Sequence, residues 1–190
     1  MNLVDRVKYI CLTPKTAWRV IAGDSSTSNK LLTDYVAPLA IIGPVAGLIG
    51  NSLVGYSTPL AGTYRVPFLA GLGIAGFSFV MNFVSIFIMS LVIDALAPQF
   101  GGVKNPKQAL KVAVYAYTPA LVGAVFQVLP SLIMLAGLAA LYGLYLLYLG
   151  LPSLMKCPEE KTFNYTAAVA ICAIVLALIA SAVASVFTGR

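Results

Sequence analysis

Four long stretches of this chain contain no Asp, Glu, Lys or Arg: residues 35–64, 66–93, 112–155 and 162–189. A helix needs about 20 predominantly apolar residues to cross a bilayer. Each stretch is long enough, and the third is too long for one crossing. Its 44 residues would make a helix of ~66 Å at ~1.5 Å per residue, about twice the hydrocarbon thickness. It must double back, and Leu129-Pro130-Ser131 is the natural place, because proline cannot donate within a helix.

Five spans follow, over residues 35–57, 68–96, 110–129, 132–151 and 165–187. Pro38 and Pro44 should kink the first, and Gly43, Gly47, Gly50 and Gly55 loosen it. A broken or re-entrant first helix is therefore open. The predicted fold is all-α, a polytopic membrane helix bundle. With 9% charged residues, against roughly 25% in soluble domains, a soluble fold is excluded. Lys and Arg set the orientation. The segment before the first span has five, the loop at 104–111 has three and the loop at 156–161 has two, while Arg65 and Arg190 stand opposite. This predicts a cytoplasmic N-terminus and an outside C-terminus. The net charge of +6 then reads as a basic layer facing anionic lipid headgroups in a multi-pass protein of a prokaryotic inner membrane, and not as a nucleic-acid patch. Residues 1–34 lack an uninterrupted apolar run, so the spans themselves are expected to direct insertion.

The chemistry available is narrow. Histidine is absent, which removes His-based nucleophile systems, general bases and metal ligands. Cys11, Cys157 and Cys172 are widely spaced and read as free thiols. No catalytic, cofactor or metal site is expected, so the chain reads as a non-enzyme without cofactors.

Two regions are expected: residues 1–34, with interfacial amphipathic helices on the cytoplasmic side, and residues 35–190, the transmembrane bundle. Leu3, Val7, Ile10 and Cys11 recur at helical spacing. Thr13-Pro14 reads as an N-cap with proline at the first helical position, and Trp18, Ile21 and Ala22 line one side of a second helix that Gly23 can end. These two helices either lie on the membrane surface or cap the bundle, and the two arrangements can coexist. Trp18 and Arg19 suit the headgroup level. In the second loop Pro98 stops a span and Gly101-Gly102 makes a turn. Asn105 then caps a helix carrying Pro106 and Gln108, a variant of the capping box. Lys104, Lys107 and Lys111 complete the expected headgroup contacts.

Within the spans, Gly71-x-Gly73-x-x-Gly76 matches a dinucleotide fingerprint, but it lies inside a spanning run with no βαβ unit around it. Close helix packing through small residues is the better reading. Gly43/Gly47 and Ser181/Ser185 read likewise, and Ala177, Ala180 and Ala184 extend the last face. Ser78, Asn82 and Ser85 share one face of the second span, which suits either a polar path or ordinary interhelical hydrogen bonds, the second being commoner. Asp94 ends that span at a helix C-terminus, the wrong end for a negative charge. It should seek a cation or donor, with Lys104, Lys107, Lys111, Tyr115 and Tyr117 nearby in topology on the same membrane side, unless it is simply a solvated span end. The candidate functional cluster is thus Asp94, Tyr115, Tyr117, Asn82, Ser78 and Ser85. Tyr142, Tyr145 and Tyr148 read as packing and interfacial aromatics.

Several stretches together resemble the Yip1 family in its prokaryotic branch, over about residues 2–185. They are residues 2–15 with Trp18, Ile93-Asp94-Ala95-Leu96-Ala97-Pro98 with Phe100-Gly101-Gly102, Gln108-Ala109-Leu110-Lys111, Tyr115-Ala116-Tyr117-Thr118-Pro119, and the Tyr-rich run 141–152. The resemblance implies a five-span membrane protein. Eukaryotic members are linked to small-GTPase binding and vesicle formation, but their Asp-Leu-Tyr-Gly-Pro element is not in this chain. The functional expectation is a protein that organises or shapes the membrane or scaffolds partners, as a homo-oligomer or with other membrane proteins. A small transporter, channel or lipid scramblase with a polar path near Asn82 and Asp94 is the alternative.

Overall fold

A computed structural model describes residues 2–24, 27–58 and 62–188, with side chains given except at 56–63, 130 and 184–188. Two short helices, α1 (Leu3–Leu12) and α2 (Pro14–Gly23), precede five helices of membrane-spanning length. These are α3 (Ser28–Val54), α4 (Phe68–Leu96, continued by a 3-10 turn to Phe100), α5 (Pro106–Gly123, continued by a 3-10 turn to Val128), α6 (Ile133–Met155) and α7 (Glu159–Thr188). The chain is an all-α membrane helix bundle. One small addition escaped the sequence reading: Tyr56–Thr58 (β1) pairs antiparallel with Gly62–Tyr64 (β2) in the loop after α3, Ser57 opposite Thr63. Apolar periodicity over such short segments is too brief to signal strands.

The first span is broken. Turns of π-helix occupy Leu31–Val36 and Ile49–Val54, and the helix is interrupted at Ile41. Pro44 has no N–H, so the Ala40 carbonyl four residues back loses its helical donor. Asn82 of α4 replaces that donor: its Nδ2 donates to the Ala40 carbonyl at 3.3 Å. A neighbouring side chain that re-satisfies a freed carbonyl is what lets a proline sit inside a span.

The turn at the third charge-free stretch lies where expected, in short 3-10 segments at Ala124–Val128 and Pro130–Leu132. Gly101 ends α4's extension with φ +78°, a conformation glycine adopts without a Cβ penalty. The Gly102 N–H then donates to Ala97 and the Val103 N–H to Met155, tying this turn to the end of α6. These turns, α1 and α2 share one end of the bundle with every Lys and Arg of the described residues except Arg65.

Small residues set some approaches and not others. A Cβ on Gly71 would run into Ser52 and Leu48, and one on Gly43 would stand 3.2 Å from Ala124 Cβ. Gly73 and Gly76 have open space where a Cβ would be. The close-packing reading therefore holds for Gly71, while Gly73 and Gly76 face outward. Ala177 and Ser181 of α7 are exposed and Ala180 is half-buried, so no helix among the described residues covers that small face fully. Ala184 and Ser185 lie outside the described side chains.

Candidate functional site

The N-terminal hairpin of α1 and α2 is built into the bundle end. Asn2 caps α1 by accepting from the Asp5 N–H at 2.8 Å. Thr13 does not cap α2 as expected. Its hydroxyl donates back to the Tyr9 carbonyl at 2.9 Å, closing α1, and a hydroxyl committed there leaves no hydrogen bond to the following turn.

Trp18 is fully buried, 0% exposed. Its ring lies edge-on to Tyr115 with centroids 6.2 Å apart, and Tyr115 packs on Tyr35 at 4.9 Å. The Thr118 hydroxyl donates to the Val114 carbonyl at 3.2 Å, so Tyr35 must be the donor in its 3.0 Å bond to Thr118. Trp18 is thus an anchor into the helix core and not a headgroup contact. The indole gains packed aromatic surface, and its Nε1 is buried with no hydrogen-bond partner among the described residues.

Lys111 is also corrected. It is 7% exposed. Its ammonium donates to the Ile21 carbonyl at 3.1 Å and to the Asp24 carbonyl. A cation is stabilised at the negative end of a helix dipole, and α2 ends there with orphan carbonyls. Gln108 adds a bond from Nε2 to the Ala22 carbonyl at 3.2 Å. Asn105 accepts from the Gln108 N–H at 3.2 Å, which forms one half of the capping box. The other half is missing because the Gln108 side chain is spent on α2. Arg6 and Asp24 pair at 3.0 Å, and the Tyr142 hydroxyl donates to the Cys11 carbonyl at 2.7 Å. Burial pushes the Cys11 thiol pKa up. Arg19, Lys104 and Lys107 are exposed, where headgroup contact remains open to them.

The expected cluster around Asp94 divides. Tyr115 belongs to the Trp18–Tyr35 group, and Tyr117 is half-buried against the core. Asn82 serves Ala40, with Ser78 and Ser85 half-buried above and below it on the same helix. Asp94 follows Ile93, whose carbonyl meets the Tyr165 hydroxyl of α7. The Tyr165 hydroxyl donates to the Ile93 carbonyl, and its ring stacks on Phe100 at 5.0 Å and 11°. The Cys157 thiol donates to the Phe100 carbonyl at 3.4 Å. One Asp94 oxygen, Oδ1, is buried with no hydrogen-bond partner among the described residues.

Comparison with known proteins places this arrangement. The Yip1 domain matches residues 8–182, from within α1 to the C-terminal half of α7. The chain belongs to the Yip1 family. Both regions just described fall within that match. The inner membrane protein YohC of Escherichia coli strain K12 is 24% identical over 156 residues, 80% of each chain, and YohC of the O6:H1 strain CFT073 matches to the same extent. No solved structure matches. Five spans together with these relatives make this Yip1 protein a multi-pass inner membrane protein.

Arg6, Asp24, Tyr35, Thr118 and Tyr165 were not singled out from sequence. A lone Arg on a short helix and a Tyr within a span carry no periodic signal, and their partners are 18 to 83 residues away along the chain.

Proposed function

We propose that this Yip1-family protein is a non-enzymatic organiser of the membrane that works through self-association, with its N-terminal hairpin on the cytoplasmic side. The observation that carries this reading is the uncovered small face of α7, where Ala177 and Ser181 remain exposed. Small residues let helix backbones approach closely inside a bilayer. A second copy of the chain is the expected occupant. The basic end of the bundle supports the orientation through attraction to anionic headgroups.

The transport reading draws on Asp94 Oδ1, a buried oxygen without a partner. Against it, the Asn82 amide is taken by a backbone carbonyl instead of facing a path. Two assays separate the readings. A chain with Cys11, Cys157 and Cys172 changed to Ser and Ala177→Cys should cross-link as a dimer in native membranes. Purified protein in liposomes should give no ion flux and no lipid scrambling. Monomer at all oxidant levels would overturn self-association, and flux lost on Asp94→Asn would establish transport instead.

A further inference from the structure

The hairpin leaves a cleft of about 340 Å³ against α5. Its polar lining is Arg6, Tyr9, Asp24 and Tyr115, and Ile10 and Val20 are among its apolar walls. We propose that this cleft holds the phosphate group of a membrane phospholipid, gripped by the Arg6 guanidinium and the Tyr115 hydroxyl.

Tyr115 carries the argument. The residue is only 3% exposed, its ring packs against Trp18 and Tyr35, and the residue borders the cleft beside Arg6 and Asp24. A buried phenol usually finds a partner. A ligand in the cleft can supply one. Arg6 donates to Asp24 through Nη2 alone, and the rest of its planar fork remains for an anion. Guanidinium geometry matches phosphate oxygens.

Arg6 and Asp24 are the charged groups lining the cleft, and they meet at 3.0 Å through one guanidinium nitrogen. The volume equals roughly ten waters at ~30 Å³ each, room for a phosphodiester with its glycerol.

A lipid, as opposed to a soluble phosphate, is favoured by the walls. Val20 lines the cleft and is 56% exposed, and Leu12 on the same hairpin is 76% exposed. Apolar side chains turned outward at the end of the spans suit the boundary between headgroups and acyl chains. Acyl chains can leave the cleft along Val20. This site does not depend on the self-association proposed above.

The test uses the full chain in detergent, titrated with dihexanoyl phosphatidylglycerol and read by native mass spectrometry. Saturable one-to-one binding is expected. Tyr115→Phe keeps both ring contacts and should weaken it about tenfold, as should Arg6→Gln, since hydrogen bonds to charged groups are the stronger ones. Lys15→Gln removes one charge from an exposed part of α2 and should bind like the parent. Unchanged thermal midpoint and Trp18 emission in Tyr115→Phe show that the fold is kept. Parent-like binding by Tyr115→Phe, an equal loss in Lys15→Gln, or no saturable binding would each overturn the site. Inorganic phosphate or glycerol phosphate binding as tightly as the lipid would overturn the lipid assignment.

Discussion

Gly150 and Trp18 interlock: a Cβ on Gly150 would stand 2.8 Å from the Trp18 indole. The indole is fully buried between α6 and Tyr115 and has nowhere to retreat. Gly150→Ala should therefore destabilise the protein by about 1–3 kcal/mol, the usual cost of overpacking. Gly150→Leu should undock the hairpin. Trp18 is the sole tryptophan, so its emission reports the event directly, as a red shift in Gly150→Leu and little change in Gly150→Ala. An unshifted spectrum in Gly150→Leu would mean that the hairpin is held without this notch.

Lys111 should behave as a clamp on α2. Lys111→Met preserves the aliphatic stem but removes the donor to the Ile21 and Asp24 carbonyls. Hydrogen bonds involving a charged partner contribute about 1.5–3 kcal/mol, and a loss of that size is expected. The effect should be local. Limited proteolysis should cut within residues 13–30 faster in Lys111→Met while the spans stay protected, as expected for an element that opens by itself. Uniform sensitivity along the chain would contradict a clamp.

Cys11 offers a pH reading of the same contact. Burial disfavours its thiolate, which raises its pKa above the ordinary thiol range. The neutral thiol is therefore the form compatible with the folded state. Its contribution is intact below the unfolded thiol's pKa and is lost as pH rises through the folded value. Maleimide labels the thiolate, so at pH 8 Cys11 should react more slowly in the native chain than in denaturant. Lys111→Met should speed it by freeing the hairpin. Equal rates in native and denatured protein would show that the docked hairpin does not shield this thiol.

How far these relationships could be read from sequence depends on their range. Charge-free runs report burial in lipid directly, so the five spans, the turn at Pro130 and the Gly101 turn were all legible. Pro38 and Pro44 likewise announced a broken first helix, because each removes a donor wherever the chain goes. What could not be read was which buried group would meet which. Lys111 at helical spacing from Lys107 looked like a second headgroup contact, but α2 ends above it and its carbonyls compete for the ammonium. Trp18 beside Arg19 looked interfacial, yet the notch that receives it lies at Gly150, 132 positions further on. Asp94 does lie in the last turn of its helix, while the Tyr165 hydroxyl that meets the preceding residue's carbonyl comes from the last span.

Asn82 and Pro44 should be energetically coupled. Asn82→Leu removes the donor to the Ala40 carbonyl and should cost about 0.6–1.7 kcal/mol, the average and upper values from double-mutant cycles on interhelical hydrogen bonds in a membrane protein. Pro44→Ala restores an N–H four residues after Ala40, so the carbonyl no longer needs Asn82. In the Pro44→Ala background, Asn82→Leu should then cost little. A double-mutant cycle on thermal stability in detergent measures this coupling. Additive losses would leave Asn82 free for another duty and return weight to the polar-path reading.

Asp94 is the residue at which stability and function should part. Its Oδ1 is buried without a partner, and an unsatisfied buried polar group costs about 1–3 kcal/mol, more when charged. Asp94→Leu removes that cost and fills the space with apolar atoms of similar volume. Oδ1 is the buried part of a half-buried side chain, and removing an unsatisfied polar atom is expected to be neutral or stabilising. Thermal unfolding in detergent should therefore show an unchanged or raised midpoint. If the midpoint rises while assembly in native membranes is lost, Asp94 is retained for what it contacts in the assembled protein and not for the fold of one chain. A clear fall in midpoint would instead assign Asp94 a structural partner, with Tyr165 the first to examine through Tyr165→Phe.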